Sequence, residues 1–349
     1  MPVLRILHLV GSADNDFYCE LSRLYAQGCL EATANRSRYD FAIAYITPDR
    51  HWRFPRSLSP EDIALAKPMP VFEAIEFLTT QNIDLMLPHM FCIPGMTHYR
   101  ALFDLLKIPY IGNTPDIMAI ANHKARTKAI VQAAGVKVPR GELLRPGDVP
   151  TIKPPAVIKP ANSADSFGLS LVKDASEYDA ALKKAFEHGD EAIVEEFIEL
   201  GREVRGAIFV KDGELIGLPL EEYMLDPQEK PIRSYADKLK QTDDGNLHFT
   251  AKDNNKSWIV DPNDPITQKV QQVAKKCHKA LGCRHYSLFD FRIDPNGQPW
   301  FLEAGLYCSF APKSVIPSMA KVVKISLDDL LIMAINETLG SNNKVLSNC

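Results

Sequence analysis

The segment spanning residues 286–305, YSLFDFRIDPNGQPWFLEAG, constrains this chain more than any other. Two runs rich in aromatic and aliphatic residues flank Asn296-Gly297, the strongest short-range signal for a β-hairpin. With those two residues as the turn, Asp290 faces Glu303 across the strands, and Arg292 and Phe301 share their face. Phe289, Phe291, Ile293, Trp300 and Leu302 then fill the other face, as strand alternation requires. Like charges directly opposed destabilise a sheet. A hard divalent cation between them removes that penalty, and Mg²⁺ is commonly held by one or two carboxylates plus substrate phosphates. The hairpin alone is equally compatible with one polar, solvated face. A three-residue loop at Pro295-Asn296-Gly297 would break the register.

A length of 349 residues leaves room for two or three domains. The net charge of −4 and pI near 6.2 give no basic surface for nucleic acid. MPVLRILHLVG enters a strand-like run without the features of a signal peptide, and no run of about 18 apolar residues marks a membrane span. The expectation is a cytoplasmic protein without a membrane or nucleic-acid partner. The seven cysteines, at 19, 29, 92, 277, 283, 308 and 349, are odd in number and contain no CxxC, which predicts free thiols.

Residues 1–112 alternate strand-like runs (4–10, 41–46, 83–87) with helical patterns (17–31, 71–80, 97–107), which predicts an N-terminal parallel-sheet domain. The carboxyl ends of such strands form the ligand edge. Here they carry residues 11–16, 47–53 and Pro88-His89-Met90, so Asp16 and His89 are candidate substrate contacts. The proline-rich connection 48–70 is long enough to be functional or mobile. A central domain, 113–196, follows: a helix over 122–134, a strand ending at Lys159, a small-residue loop 161–168, a strand at 169–172, a helix over 176–188 and a strand at 192–196. A C-terminal domain, 197–349, holds a hairpin through Asp212-Gly213, a helix from the Asp264 cap to Gly282, the acidic hairpin and a final helix over 327–339. The fold class is α/β with an α+β lid.

Lys159 ends a buried strand, VIKP, where an amine is costly unless it is paired or reaches an anion. The loop after it, with Ser166 and Gly168, offers backbone N–H groups that cradle phosphates, although GxxxxGK[ST] is absent. Lys124 sits at a helix start, a position that disfavours cations unless an anion binds there. AIVEEFI ends in Glu195, Glu196, Phe197 and Ile198, suited to an adenine edge, and Glu203 follows for ribose hydroxyls. Each of these taken alone also fits an ordinary surface lysine, loop or half-buried strand.

In order, the chain reads NHK, VIKP with its loop, EEFI…GREV, YADK and DFRIDPNGQPWFLEAG. This ordered set resembles the ATP-grasp ligases, specifically the D-alanine–D-alanine ligase family, over roughly residues 105–335, and IPYIGNTP resembles the family's domain junction. The resemblance implies an ATP-grasp fold with an N-terminal parallel-sheet domain, a central lid domain and a C-terminal mixed-sheet domain. It also implies ATP and Mg²⁺ (with Mn²⁺ as a substitute) as cofactors, and a homodimer. Lys124 and Lys159 would hold phosphates under the Ser166–Gly168 loop. Glu195, Glu196, Phe197 and Ile198 would line the adenine pocket, with Glu203 on the ribose. Lys238 would approach the γ-phosphate, and Asp290 and Glu303 would bind the metal. Lys313 and Ser314 would anchor the carboxylate of the second substrate.

The sequence also departs from the family pattern. Gly305 stands where the family has a metal-binding asparagine, and Leu288 where it has an arginine, a loss that Arg292 would make good. Asp165 replaces a loop serine and Leu239 a tyrosine, and PHMFCIPG replaces the usual N-terminal segment. Across its whole length the chain is most similar to the branch that serves mycosporine-like amino acid biosynthesis. That branch couples mycosporine-glycine, a cyclohexenone, to the amine of serine, threonine or a similar amino acid through a phosphorylated enaminone oxygen. A peptide-type ligase acting through an acyl phosphate, and a nucleotide-binding protein without turnover, remain alternatives.

Overall fold

The computed structural model describes residues 3–35, 37–162, 167–229, 231–233, 240–241, 247–248 and 256–340. Strands β1 (Leu4–Gly11), β2 (Tyr39–Ile46) and β4 (Leu85–Pro88) pair in parallel, and the short β3 (Trp52–Arg53) runs antiparallel at the edge, in the order β3-β2-β1-β4. The strands read as near-continuous apolar runs because both faces are covered. Leu7 and Leu9 pack with α3 (Val71–Thr79) and α5 (His98–Leu105) through Ala74, Leu78 and Phe103. Leu4 and Ile6 pack with Phe310, Ile316, Leu330 and Ile335 from the C-terminal end of the chain.

The long connection after β2 is folded. It contains β3 and α2 (Pro60–Leu65), capped by Ser59, and Trp52 is fully buried against Phe54 and Tyr99. Of the two expectations for this connection, functional or mobile, the second does not hold: Trp52 is packed, and its indole draws the loop onto the sheet.

Two helices, α6 (Pro115–Ala121) and α7 (Lys124–Ala133), lead into a second sheet. β5 (Gly141–Leu144), β6 (Ala156–Pro160), β7 (Ser170–Val172) and β8 (Ala192–Glu196) run in the order β5-β8-β6-β7, all antiparallel, with α8 (Tyr178–Phe186) packed on one face.

The third sheet follows the order β14-β11-β9-β15-β16, with β10 also on β9. Its strands are β9 (Arg202–Lys211), β10 (Glu214–Gly217), β11 (Glu221–Tyr223), β14 (Ser257–Ile259), β15 (Tyr286–Ile293) and β16 (Pro299–Ala304). β12 (Lys240–Gln241) and β13 (Leu247–His248) pair apart from it. Every pairing described in the third sheet is antiparallel rather than mixed, because hairpins and returns join neighbouring strands without a parallel crossover. Helix α9 (Pro265–Leu281) covers one face beside α7, while α10 (Val315–Val322) and α11 (Leu327–Leu339) close the core shared with the first sheet. Asn113 fastens the expected junction by donating to the carbonyls of Tyr286 and Leu306 and accepting from the Arg284 N–H.

Candidate active site

A cleft of about 730 Å³ lies between the second and third sheets. Its walls include Lys124, Lys159, Glu195, Glu196, Ile198, Glu203, Asp290, Arg292 and Glu303, so most of the residues singled out by sequence converge there. Pro139, Val157, Phe167, Leu169, Ile232 and Leu302 add an apolar lining suited to a flat heterocycle.

The acidic hairpin reaches its geometry by two irregularities that cancel. Its loop is the three-residue form. Gly297 takes φ +73° and its N–H donates to the Asp294 carbonyl, while Asp294 Oδ1 accepts from the backbone of Asn296 and Gln298. Near the loop the pairs are therefore Ile293 with Pro299, Arg292 with Trp300 and Phe291 with Phe301. A bulge then shifts the register, and Asp290 comes to face Glu303. The expected opposition of the two carboxylates holds. The expected faces on the second strand do not. Phe301 is fully buried with Phe289 and Phe291, and Leu302 lines the cleft beside Glu303, because the bulge inserts one residue into the alternation.

A row of charges crosses the third sheet. Glu303, Asp290, Arg205 and Glu221 are successive cross-strand neighbours on β16, β15, β9 and β11. Lys124 Nζ lies 3.9 Å from Glu303, and Arg205 Nε donates to Asp290 Oδ1 at 2.6 Å. Two converging carboxylates form a hard oxygen donor set, which fits Mg²⁺ better than a softer metal.

Lys124 opens α7 behind the His123 cap, and its backbone N–H donates to the Ala161 carbonyl, so the helix start is tied to the end of β6. Lys128, one turn on, and Lys159 on β6 both reach Glu195 on β8; the Lys159 Nζ–Oε2 distance is 2.9 Å. Burial alone would raise the Glu195 carboxyl, but the two ammonium groups outweigh it and hold it below its ordinary range. Burial pushes Lys128 down to about 7 against the pull of Glu195. Burial also acts against Lys159, yet Glu195, Glu303 and Glu203 outweigh it, so Lys159 sits above its ordinary value. The Glu195 side chain thus pairs with both lysines at the cleft wall.

Arg292 lies on the expected face, but its guanidinium is committed elsewhere than the carboxylate pair. It bonds Glu203 at 2.5 Å and the carbonyls of Pro231 and Ile198 at 2.8 and 3.2 Å, over the Phe197 ring. The arginine beside Asp290 is instead Arg205, which the sequence reading passed over. Its signal was its place two residues after Glu203, on the same strand face. Phe197 donates its N–H to Pro155 and does not line the cleft, and Glu196 Oε1 accepts from the Arg140 N–H. Gly168 has φ +68°, and a Cβ there would come within 2.8 Å of Pro160, so the backbone at this position lies against β6 as only glycine allows. Ser166 and Lys238 lie outside the described residues.

The candidate substrate contacts are dispersed. Asp16 is exposed in the first turn of α1 (Asp16–Thr33). Ser314 is buried against Ser309 at the start of α10, and Lys313 beside it is exposed. His89 is buried, with its Nε2 3.0 Å from His8 Nδ1. Cys29 lies near this pair, close enough to suggest a metal cluster. The two rings, however, are within 4° of parallel with centroids 5.1 Å apart. At that N···N distance this is the in-plane line of an N–H···N bond, whose lone pair faces a proton rather than converging on an ion.

Residues 147–336 match the family model described as the D-ala D-ala ligase C-terminus. A D-alanine–D-alanine ligase of Halalkalibacterium halodurans is 30% identical over 69% of this chain and 76% of its own length. The chain belongs to the D-alanine–D-alanine ligase family. Among solved structures, the VanG D-Ala:D-Ser ligase of Enterococcus faecalis superposes with a TM-score of 0.79, at 24% identity, over 97% of this chain and all of that one. The Bacillus anthracis D-alanine–D-alanine ligase complexed with ATP gives 0.71 at 20% identity, over 97% and 98%. The fold is therefore ATP-grasp, and this member of the D-alanine–D-alanine ligase family is an ATP-dependent carbon–nitrogen ligase that uses ATP and Mg²⁺.

Bound Mg²⁺ supplies charge neutralisation on phosphate oxygens, and Asp290 and Glu303 are the residues that would hold it. Lys159 and Lys124 place two ammonium groups on the cleft wall, beside its apolar lining. Among the described residues no helix is long and apolar enough to cross a membrane, and six cysteines are free thiols.

Proposed function

We propose that this ligase joins the amine of a small, serine- or threonine-like amino acid to mycosporine-glycine, giving a mycosporine-like amino acid. ATP would phosphorylate the enaminone oxygen of the ring. The amine would then add at the activated carbon, and phosphate would leave. The observation that carries this reading is the rebuilt acceptor side. Phe91, from the segment that departs from the family pattern, meets Tyr307 edge-to-face at 5.6 Å, two residues beyond Gly305. An aromatic wall of this kind suits a flat conjugated ring better than the methyl group of D-alanine. In this reading residues 1–112 bind the acceptor, 113–196 close over the nucleotide, and 197–349 carry the metal hairpin and the amino-acid anchor. Lys238 would meet the γ-phosphate.

The second reading, a D-alanine–D-alanine-type peptide ligase acting through an acyl phosphate, has the names of the relatives behind it. One experiment separates the two. Protein, ATP and Mg²⁺ are incubated with mycosporine-glycine plus a panel of amino acids, and in parallel with D-alanine alone, and phosphate and products are measured. Phosphate release that requires both the cyclohexenone and an amine, with a new cyclohexenimine product, supports the first reading. Release with D-alanine alone, and none that depends on the cyclohexenone, sinks it in favour of the second. Light scattering checks the homodimer that accompanies either reading.

A further inference from the structure

Among the described residues, Arg205 is bonded on one edge of its guanidinium only. It projects from β9 between two acidic neighbours, Asp290 and Glu221, in the middle of the charged row. Its Nε–H is anchored on Asp290 Oδ1 at 2.6 Å, while Glu221 stays 3.9 Å from Nη1, beyond a hydrogen bond. Among the described residues neither Nη group makes a hydrogen bond. The side chain is nonetheless held in place: its guanidinium lies 5.5 Å from the Tyr223 ring, whose hydroxyl donates to Glu221. Arg205 does not line the nucleotide cleft, whereas Asp290 does. Arg205 therefore contacts the metal carboxylate without itself belonging to the nucleotide lining.

A guanidinium fixed at Nε and unbonded at both Nη atoms is a planar fork open to two oxygens. Its place in the charged row, bonded to the carboxylate that would hold the metal, suits a group that neutralises phosphoryl oxygens. We propose that Arg205 is a catalytic residue, whose two Nη groups hold the phosphoryl oxygens in transit. The bond from the acceptor oxygen to the γ-phosphorus forms as the bond to the bridging oxygen breaks, and ADP leaves with that electron pair. Arg205 neutralises the equatorial oxygens throughout and transfers no proton. The inference rests on the phosphoryl-transfer reading above, but not on which acceptor is used.

The test compares Arg205→Gln and Arg205→Lys with the unaltered protein in three measurements. The first is affinity for Mg²⁺ and ADP with aluminium fluoride, a phosphoryl-transfer mimic. The second is affinity for ATP, and the third is Mn²⁺ binding without nucleotide. The Gln variant is expected to bind the mimic about 100-fold more weakly, with ATP affinity within about threefold. Its Mn²⁺ affinity should be unchanged or higher, since a cation competing for Asp290 is gone. The Lys variant keeps the charge but loses the fork, and should still lose at least about tenfold on the mimic. Equal affinity of both variants for the mimic overturns the inference. So does loss of Mn²⁺ binding in the Gln variant, which would make Arg205 a scaffold for the carboxylates. Asp290→Asn is the control: if it binds Mn²⁺ normally, the metal assignment of the hairpin has failed, and not Arg205 alone.

Discussion

Lys128 and Lys159 hold one carboxylate between them, Glu195, from a helix and a strand that are distant in sequence. Only Lys159 also lines the cleft. Their roles should therefore separate. Lys159→Ala is expected to weaken ATP binding about 10- to 100-fold through loss of a charge-assisted contact. Lys128→Met should lower the melting temperature, because Glu195 loses one of its two cations in a dry site. Calorimetry and thermal melts check both. ATP affinity unchanged in Lys159→Ala, and also in Lys124→Ala, would remove the basis for the nucleotide assignment.

The opposed pair Asp290 and Glu303 gives a second expectation. Asp290→Asn should cost about 100-fold or more in turnover while leaving the melting temperature near that of the unaltered protein. The substitution removes a like-charge repulsion but also a partner of Arg205. Steady-state phosphate release beside a melt is the measurement; full turnover would rule the metal role out.

Glu203 compensates Arg292, which is almost fully buried. Glu203→Ala should destabilise the fold by about 3–5 kcal/mol, since it leaves a buried charge without its partner. Glu203→Gln should fold, and should discriminate less between ATP and 2′-deoxy-ATP if the carboxylate contacts the ribose. Urea denaturation reads the first variant, and competition between the two nucleotides reads the second.

Four buried histidines set an acid limit on stability. Burial lowers His8 and His285 to about 3 and His278 to about 4, and brings His89 well below its ordinary 6.5. Unfolded, each takes up a proton near pH 6.5; folded, each stays neutral until much lower pH. Their contribution is complete above about pH 6.5 and is lost as pH falls toward 3, at up to about 1.4 kcal/mol per pH unit for each histidine. Denaturation midpoints should fall steeply between pH 6.5 and 4.5. A flat profile there would mean that these rings are already charged in the folded protein.

Lys313 is exposed beside the buried Ser314, as an anchor for an incoming carboxylate would be. Lys313→Ala should raise the KM for the amino acid about tenfold and leave the KM for ATP within about twofold. The opposite pattern would place Lys313 on the nucleotide side.

Much of this was legible in the sequence because the signals were local. The Asp264 cap, Pro265 and Gly282 bound α9 as expected, and Asp212-Gly213 turns β9 into β10. The order of the motifs identified the family. The misses share a cause: they depend on neighbours distant in the chain. Arg205 gains its meaning only when β9 pairs with β15. Lys128 looks like any helix lysine until β8 brings Glu195 to it, 67 residues away. His89 sits at a strand end that strand topology marks as a ligand edge, yet His8 takes up its ring nitrogen. Phe301 and Leu302 exchanged faces because a bulge leaves no trace in alternation.

That bulge has a consequence for how such hairpins can change over generations. The three-residue loop displaces one strand by a position, and the bulge displaces it back. A single insertion or deletion at either place would turn Glu303 away from Asp290, since one residue of slip reverses a strand's faces. Two changes, one at each irregularity, would leave the carboxylates where they are. Loop length in this hairpin should therefore drift only in step with its bulge, and relatives with a shorter turn should have a straight second strand.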